Sequence, residues 1–491
     1  MSTLSNIEPG SEAERENRRA GVPMDLPAAV PARVPGRRGA RKDVYEFRPI
    51  NVGRWVVWSA YALLLLAAPF VFTSSLALTM LSQMGVAIIV CLSYNMLLGQ
   101  GGMLSFGHAV YSGLASFMAV HAMRAIGDGT LVLPMSLVPV VGGLTGLVFA
   151  LLLGFVTTRK AGTTFAMITL GIGELVFAMA LMVPEFFGGE GGVSANRAAG
   201  KPFLGISFGP QIQVYYLLAI YTFVCTAAMY AFTRTPLGRM LNAVRDNPER
   251  VEFIGYSAQR VRYLAFVIAG FFAGVSGGMY ALSFEIATAE VVGATRSGLY
   301  LFFTFLGGAT FFFGPILGGV MMVLAFVVFS EVTKAWQLYL GVLFLVMVMF
   351  APGGLASLVM INLRVAHFGK FGRLVPAYLA LAASGVLALA GFVALIEMIY
   401  HLQLDAAQGS TLRFFGLTLD TAHAASWLGA FAALAVGAAL FERARRAFVP
   451  RWAQVHAEIE EALQRRQRAG VEAEEGQVDQ AALGQVGGAA P

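Results

Sequence analysis

Long apolar segments recur along most of this chain, and they limit what it can fold into more than any other feature. Runs of roughly 18 to 25 apolar residues follow one another from Val52 to Leu440. At a rise of about 1.5 Å per residue, each run can cross a hydrocarbon core about 30 Å thick. Only 13% of the 491 residues are charged, about half the share in an ordinary soluble domain. The sequence therefore predicts an all-α membrane protein, a polytopic helical bundle.

The hydropathy pattern separates a core of about ten spans from an appended pair of about two helices near the C-terminus. The core spans are predicted at residues 52–73, 76–98, 105–123, 131–157, 163–183, 212–232, 263–282, 299–313, 316–332 and 338–350. Two further spans, at residues 374–398 and 424–440, follow an apparent stop at Ala351 to Gly354. The chain is therefore predicted to begin with a disordered tail (residues 1–50), followed by the core (51–360) and the appended pair (361–441). An amphipathic helix (442–469) and a second disordered tail (470–491) complete it.

The loop charges give an independent check on these spans, because Lys and Arg are in excess on the cytoplasmic side of membrane proteins. With the N-terminus in the cytoplasm, most of the 34 Lys and Arg residues fall in cytoplasmic segments. The exceptions are Arg124, Arg197, Lys201, Arg296, Lys334 and Arg413. The pattern therefore predicts an even number of spans, with both termini in the cytoplasm.

Both terminal segments are predicted to lie outside the bilayer. The first fifty residues are polar, contain several prolines and lack an apolar run, which indicates a disordered tail and not a cleavable signal peptide. After the last span, Trp452, Val455, Ile459 and Leu463 recur at intervals of three and four residues. This pattern predicts a cytoplasmic amphipathic helix that lies on the leaflet or on a partner.

Glycine is frequent inside the predicted spans, in three groups that are typical of close helix packing. These are Gly142, Gly143 and Gly146, then Gly270, Gly274 and Gly278, and finally Gly307, Gly308, Gly314, Gly318 and Gly319. The Gly314-Pro315 pair and the run from Gly99 to Gly102 differ, because they interrupt backbone hydrogen bonding near membrane depth. Such breaks persist only where protein or a water-lined cavity satisfies the freed groups.

The loop between the sixth and seventh spans carries the clearest local signals. Residues 236–255 are predicted to form two short helices; the second has Asn247 as N-cap, Pro248 in the first position and Gly255 after its end. A helix this short is marginal in water, so Val251, Phe253 and Ile254 need a surface to pack on. A groove on a partner and the protein's own helix ends are equally good candidates.

Several stretches in this order and spacing resemble one family, the LivM-type permease subunits of high-affinity branched-chain amino acid ABC importers. One is the loop Pro236 to Gly255 with its Ala-Val-Arg-Asp-Asn segment. The others are Gly99-Gln-Gly-Gly-Met-Leu-Ser-Phe-Gly-His108, the segment Gly162 to Glu174, Phe305-Leu-Gly-Gly308 with Gly314-Pro315, and Phe350-Ala-Pro-Gly-Gly354. The resemblance covers residues 76–354 and does not extend to the tails or the appended pair.

The resemblance implies a transport subunit of the bacterial inner membrane that moves branched-chain or other apolar amino acids by alternating access. The implied partners are a second related permease, two cytoplasmic ABC ATPases and a periplasmic solute-binding protein, with no nucleic acid. The matching loop residues would couple this chain to the ATPases: Gly238, Arg239, Ala243, Arg245, Asp246, Asn247, Glu249, Arg250 and Gly255.

The expected chemistry of the chain is transport without catalysis. No Gly-x-x-x-x-Gly-Lys-Ser/Thr phosphate loop occurs in the sequence, so ATP hydrolysis is expected on separate subunits. Cys91 and Cys225 fall inside spans without Cys or His neighbours at metal-ligand spacing. They are interpreted as small buried hydrophobic residues, and neither a metal nor another cofactor is expected.

The candidate translocation path combines the glycine breaks with polar residues inside spans. Glu174 lies in mid-span and is expected either to form a structural hydrogen bond or to line the path, and His108 either packs in the core or lines the path. The full candidate set is Gly101, Gly102, Ser105, His108, Thr169, Glu174, Gly307 and Gly308.

Three alternatives to the amino acid importer stay open on the sequence. Related permeases carry urea, short amides or aromatic acids. An ion-coupled secondary transporter would use membrane carboxylates as coupling groups, and Glu174 is nearly alone in that role. A membrane-embedded enzyme would need clustered nucleophiles or metal ligands, which the sequence does not display.

Overall fold

The structure, a computed structural model, describes residues 52–200, 207–404, 410–414 and 417–486; the predicted N-terminal tail lies outside them. Its helices are α1 (Val52–Val71), α2 (Ser75–Gly101), α3 (His108–Gly127), α4 (Val138–Thr157), α5 (Gly162–Met182), α6 (Pro184–Phe187), α7 (Gln211–Arg234), α8 (Pro236–Asp246), α9 (Pro248–Phe253), α10 (Ala258–Phe284), α11 (Ala294–Gly307), α12 (Gly314–Leu324), α13 (Ser330–Val332), α14 (Trp336–Phe350), α15 (Gly354–His367), α16 (Phe371–Leu404) and α17 (Ala424–Val486). The strands are β1 (Val193–Ser194), β2 (Ile286–Ala287), β3 (Thr411–Phe414) and β4 (Leu417–Asp420). Three 3-10 turns (Met135–Leu137, Gly189–Gly191, Ala289–Val292) and a π-helical segment (Ala325–Phe329) complete the described elements.

Each predicted span overlaps a helix, but the structure does not confirm the predicted number of membrane crossings. Among the described residues, eight helices are long and apolar enough to cross a membrane, or nine if the bent pair α14 and α15 counts as one span. Three of the twelve predicted spans fall outside the larger count of nine. The apolar part of α1, Trp55–Val71, is short, and α11 has only 14 residues. The third, α3, is enclosed by protein, with 15 of its 20 residues buried, and it needs no apolar face toward lipid.

Helix ends follow local sequence signals. The Ser74 hydroxyl accepts a hydrogen bond from the Ala77 N–H (3.2 Å) where α2 begins, and the Ser257 hydroxyl accepts one from the Arg260 N–H (3.4 Å) where α10 begins. Gly102, with a φ of 63°, ends α2 in the left-handed region, which glycine adopts without steric cost. These caps satisfy backbone groups that a helix end leaves without partners.

The most buried span, α10, packs against α2, α3 and α4. A Cβ added to Gly146 of α4 would lie 2.3 Å from the carbonyl oxygen of Gly270, and one added to Gly274 would lie 2.3 Å from that of Gly142. The two backbones therefore touch along this face. The interpretation of these glycines as a packing seam is confirmed.

The loops gather at two ends of the bundle. Antiparallel pairing of β1 with β2 joins Val193 to Ala287, so the chain before α7 and the chain after α10 meet at one end. The segment α8–α9 connects the other ends of the same two helices, and there Arg245 contacts Gly99 near the end of α2. We call these the β1–β2 end and the α8–α9 end.

The appended helices α16 and α17 form a closely packed pair. A Cβ at Gly391 would lie 2.3 Å from the Leu434 nitrogen, and one at Gly437 would lie 2.4 Å from the Ala388 nitrogen. Contrary to the prediction of a separate amphipathic helix and a disordered tail, α17 continues without a break to Val486. Because Ala, Glu, Gln and Arg favour helix and dominate this stretch, local propensity supports the continuation. The predicted domain boundaries themselves remain predictions.

The apolar face of α17 beyond its membrane part packs on this chain, where the sequence predicted the leaflet or a partner. Val455 and Ile459 are buried against Val365 and Leu374. The Glu458 carboxylate also accepts from the Lys370 ammonium at 2.5 Å and from the Arg373 guanidinium at 3.3 Å. The turn between α15 and α16 and the first turn of α16 thus place one cation each opposite one carboxylate, and the protein covers its own amphipathic face.

Candidate functional site

The loop between α7 and α10 forms two short helices, as predicted. The Thr235 hydroxyl accepts from the Gly238 N–H at 3.2 Å and caps α8, and the Asn247 side-chain oxygen accepts from the Arg250 N–H at 3.0 Å and caps α9. A proline occupies the first position of each helix. Gly255, with a φ of 91°, follows α9. Local signals therefore fix the ends of both helices.

The apolar side chains of this loop divide into two sets: Val251 packs on the protein itself, whereas docking of the others on a partner stays a prediction. Val251 is 3% exposed and packs in the bundle core together with Leu241 of α8. Phe253 is 87% exposed and Ile254 is 64% exposed, and Tyr256 beyond them is 53% exposed. Of the other predicted coupling residues, Gly238 is buried, and the exposed ones are Arg239, Ala243, Arg245, Asp246, Asn247, Glu249, Arg250 and Gly255.

Arg245 links α8 to the end of α2. Its Nη1 donates a hydrogen bond of 2.5 Å to the Gly99 carbonyl oxygen, and its Nε donates one of 2.9 Å to the Asp246 carboxylate. A Cβ at Gly102 would lie 2.9 Å from Cγ of Arg245, and one at Gly101 would lie 3.2 Å from Cδ1 of Leu241. The two glycines thus allow α8 to approach the turn that follows α2.

Backbone groups of the irregular chain between α2 and α3 form hydrogen bonds with side chains of neighbouring helices. The Phe106 N–H donates to the Thr169 hydroxyl oxygen at 3.1 Å, and the Tyr94 hydroxyl donates to the Ser105 carbonyl at 2.7 Å. A Cβ at Gly107 would lie 2.2 Å from the Thr169 carbonyl oxygen. Of the predicted path residues, five therefore come together at this turn: Gly101, Gly102, Ser105, His108 and Thr169.

His108 is completely buried, which favours the packing interpretation of this residue. The Ser93 hydroxyl donates to the Ala269 carbonyl at 2.7 Å, so His108 Nε2, 2.9 Å from the same hydroxyl oxygen, is the donor to it. The ring meets Tyr94 edge-on, with centroids 5.1 Å apart. Its Nδ1 has no hydrogen-bond partner in the described part of the chain.

Gly307 and Gly308 make their closest contacts with other glycines, although the next residue, Ala309, lies against Gly99. A Cβ at Gly307 would lie 2.2 Å from the Gly314 carbonyl oxygen, and one at Gly308 would lie 2.6 Å from that of Gly353. Both are buried where α12 and α15 pack against the end of α11. Their small size serves this contact between backbones, and the structure does not place them at a cavity.

A cavity of about 820 Å³ lies toward the β1–β2 end, between α5, α10, α11 and α14. Glu174 is exposed at its wall and forms no hydrogen bond within the described residues, which favours a lining role for it over a structural one. Glu290, Arg296 and Tyr280 also line this cavity, and none of the three belongs to the predicted path residues. The one available signal was the position of Arg296 next to a predicted apolar span. Among the described residues, no group of His, Cys, Asp and Glu could hold a metal ion.

The helical bundle has a charged cavity toward one end and, at the other, a capped loop with exposed apolar side chains. This is the architecture of a transport permease. The chain belongs to the family described as branched-chain amino acid transport system / permease component, which matches residues 76–352. This range agrees closely with residues 76–354, over which the sequence motifs resemble LivM-type permeases. The chain is thus a multi-pass inner-membrane protein, and the match ends before the appended helices.

Two curated relatives are similar over most of their length. The chain is 26% identical over 328 residues to the high-affinity branched-chain amino acid transport system permease protein LivM of Salmonella typhimurium, covering 62% of this chain and 76% of the relative. It is also 26% identical over 336 residues to the LivM protein of Escherichia coli, covering 64% of this chain and 77% of the relative. No solved structure matches the chain.

Proposed function

We propose that this chain is the permease subunit of an ABC importer for branched-chain or other apolar amino acids, and that α8 and α9 couple it to a cytoplasmic ATPase. One observation carries the proposal: Phe253, Ile254 and Tyr256 are exposed on a capped helical segment that Val251 anchors in the core. An exposed apolar group on an ordered segment outside the spans is typical of a docking surface for another protein.

Physical chemistry explains why a partner would take up these side chains. A six-residue helix is not stable alone in water, and α9 is held by its caps and by Val251. Burial of a large apolar side chain contributes roughly 1.5 to 3 kcal/mol, so two or three of them are a sizeable share of a protein interface. The surrounding charges, among them Glu249 and Arg250, match the polar rim of such an interface.

The remaining parts of the proposal follow from the family. Both curated relatives are named as permeases of branched-chain amino acid transport systems, which supports the substrate class. We place the α8–α9 end and both termini in the cytoplasm. A second related permease would complete the path, two ATPases would hydrolyse ATP, and a periplasmic binding protein would deliver the amino acid. Closure of the ATPases would move α8, and the contact of Arg245 with Gly99 would pass this motion to α2.

The test removes two exposed apolar side chains at the end of α9 and nothing that supports the fold. We expect the double variant Phe253→Ala, Ile254→Ala to insert into the membrane normally, to lose co-purification of the companion ATPases and to lose uptake of radiolabelled leucine. The matched control is Phe70→Ala, because Phe70 is 77% exposed on α1, away from the loop. Retained ATPases with unchanged uptake would refute the coupling role. Uptake by this chain alone, driven by an ion gradient, would refute the importer.

A further inference from the structure

The cavity toward the β1–β2 end combines a cation, carboxylates and an apolar wall. Its volume of about 820 Å³ lies in the range of small-molecule sites, roughly 300 to 1,000 Å³. Arg296 stands in the first turn of α11, Glu290 in the preceding 3-10 turn and Glu174 halfway along α5. Three different elements thus present charged groups to one space.

Arg296 has unused hydrogen-bonding capacity at this wall. Its Nε is buried without a hydrogen-bond partner, and within the described residues its guanidinium forms no ion pair. The guanidinium carbon lies 5.4 Å from the centroid of the Tyr280 ring, and the Tyr300 hydroxyl also interacts with the group. A charged side chain at a membrane span is costly and therefore indicates a functional site, and a buried N–H without a partner adds to that cost. The planar guanidinium matches the geometry of a carboxylate or a phosphate, each of which it can bind through two parallel hydrogen bonds.

Glu290 supplies the complementary charge. Its carboxylate is exposed at the cavity wall and near enough to Arg296 to interact with it electrostatically, yet the two form no direct ion pair. A zwitterion can bridge such a separated pair, with its carboxylate on the guanidinium and its ammonium group on the carboxylate. Glu174 has no comparable interaction with Arg296 and lies deeper along α5.

Aromatic side chains form the rest of the wall. Phe326 and Trp336 meet edge-on with ring centroids 4.9 Å apart, and both line the cavity. Phe177 of α5 lines it as well. These rings offer apolar surface to a branched aliphatic side chain.

We infer that this cavity binds an α-amino acid with an apolar side chain during transport, Arg296 holding its carboxylate, Glu290 its ammonium group and the aromatic wall its side chain. The inference rests on the proposed function, and it adds a binding site within the membrane subunit. An anionic lipid headgroup would bind Arg296 alone, because it has no groups that bind Glu290 and the apolar wall together.

The experiment measures binding of tritiated leucine to the full-length chain in nanodiscs of phosphatidylcholine. We expect saturable binding that unlabelled leucine displaces. Isovalerate, which lacks the ammonium group, and isoamylamine, which lacks the carboxylate, should not displace it at the same concentration. Absence of leucine binding to the wild-type chain would overturn the inference. Equal displacement by isovalerate would reduce the site to an anion site, and displacement by added anionic phospholipid would assign it to a lipid headgroup.

Substitutions assign the two charges. Arg296→Gln and Glu290→Gln should each weaken leucine binding by on the order of tenfold or more. Arg296→Lys keeps the positive charge but loses the planar pair of N–H donors, so its affinity for leucine should lie between those of the wild type and Arg296→Gln. The control Glu331→Gln changes an exposed carboxylate that does not line the cavity and should leave binding unchanged. Co-purification of the ATPases is measured on the same variants. Unchanged leucine binding in Arg296→Gln with ATPases still attached would overturn the site and leave the proposed function standing.

Discussion

At the scale of single residues, Arg245 completes the end of a helix that it does not belong to. Gly99 is one of the last residues of α2, and the final carbonyl groups of a helix lack partners within it. The guanidinium of Arg245 donates to the Gly99 carbonyl from α8, and a cation at a helix C-terminus is also favoured by the helix dipole. One side chain thereby joins the proposed coupling segment to the bundle.

We expect Arg245→Ala to uncouple transport from ATP hydrolysis. The contact to Gly99 is lost, whereas Phe253 and Ile254, which we propose hold the ATPase, are unchanged. The side chain of Arg245 is 40% exposed, so the lost bond is worth only about 1 kcal/mol of stability, and the chain should still fold. In proteoliposomes with the ATPases, leucine uptake per ATP hydrolysed should fall several-fold.

The matched control for this prediction is Arg260→Ala, an exposed arginine in the first turn of α10 without a side-chain contact to α2. It should leave the ratio of uptake to hydrolysis unchanged. If Arg245→Ala kept the wild-type ratio, the contact with Gly99 would be a structural detail without a part in coupling.

At the scale of elements, the features best predicted from the sequence were those that depend on local residue chemistry, namely helix ends and close helix contacts. The caps Asn247 and Gly255 and the two glycine groups of α4 and α10 were readable because turn geometry and close backbone contact each require a specific residue type. The roles of Gly307 and Arg296 were not readable, because each depends on which distant helix lies beside it. The length of α17 was also missed, since a helix of good helix-forming residues needs no apolar pattern to continue.

The seam between α4 and α10 gives a stability prediction. In Gly146→Ala the new methyl group would lie 2.3 Å from the Gly270 carbonyl oxygen, so the two helices must separate, at a cost of about 1 to 3 kcal/mol. We expect a clearly lower thermal unfolding temperature for the purified protein. Gly171→Ala in α5 is the control, because nothing lies within 4 Å of its Cβ position and alanine favours helix. A Gly146→Ala protein as stable as Gly171→Ala would contradict a tight seam.

At the scale of the whole molecule, the bundle separates two tasks. The residues proposed to meet the ATPase lie at the α8–α9 end, and the cavity proposed to hold the amino acid lies toward the β1–β2 end. Between them stand α2, α3 and α10, which are the best-packed part of the chain. Such an arrangement lets movement at one end alter access at the other without a continuous pore through one subunit, which is what alternating access demands.

This division of tasks depends on which end faces the cytoplasm, and cysteine labelling tests it directly. The native Cys91 and Cys225 are both buried, so a maleimide that cannot cross the membrane should give a low background on the wild-type protein. Glu249 in α9 and Glu190 in the 3-10 turn before β1 are exposed and lie at opposite ends of the bundle. We expect Glu190→Cys to react in intact spheroplasts. Glu249→Cys should react only after the membrane is opened, because the excess of Lys and Arg at the α8–α9 end predicts a cytoplasmic position for it. The reverse pattern would put α9 out of reach of any ATPase, and coupling through Phe253 and Ile254 would then be impossible.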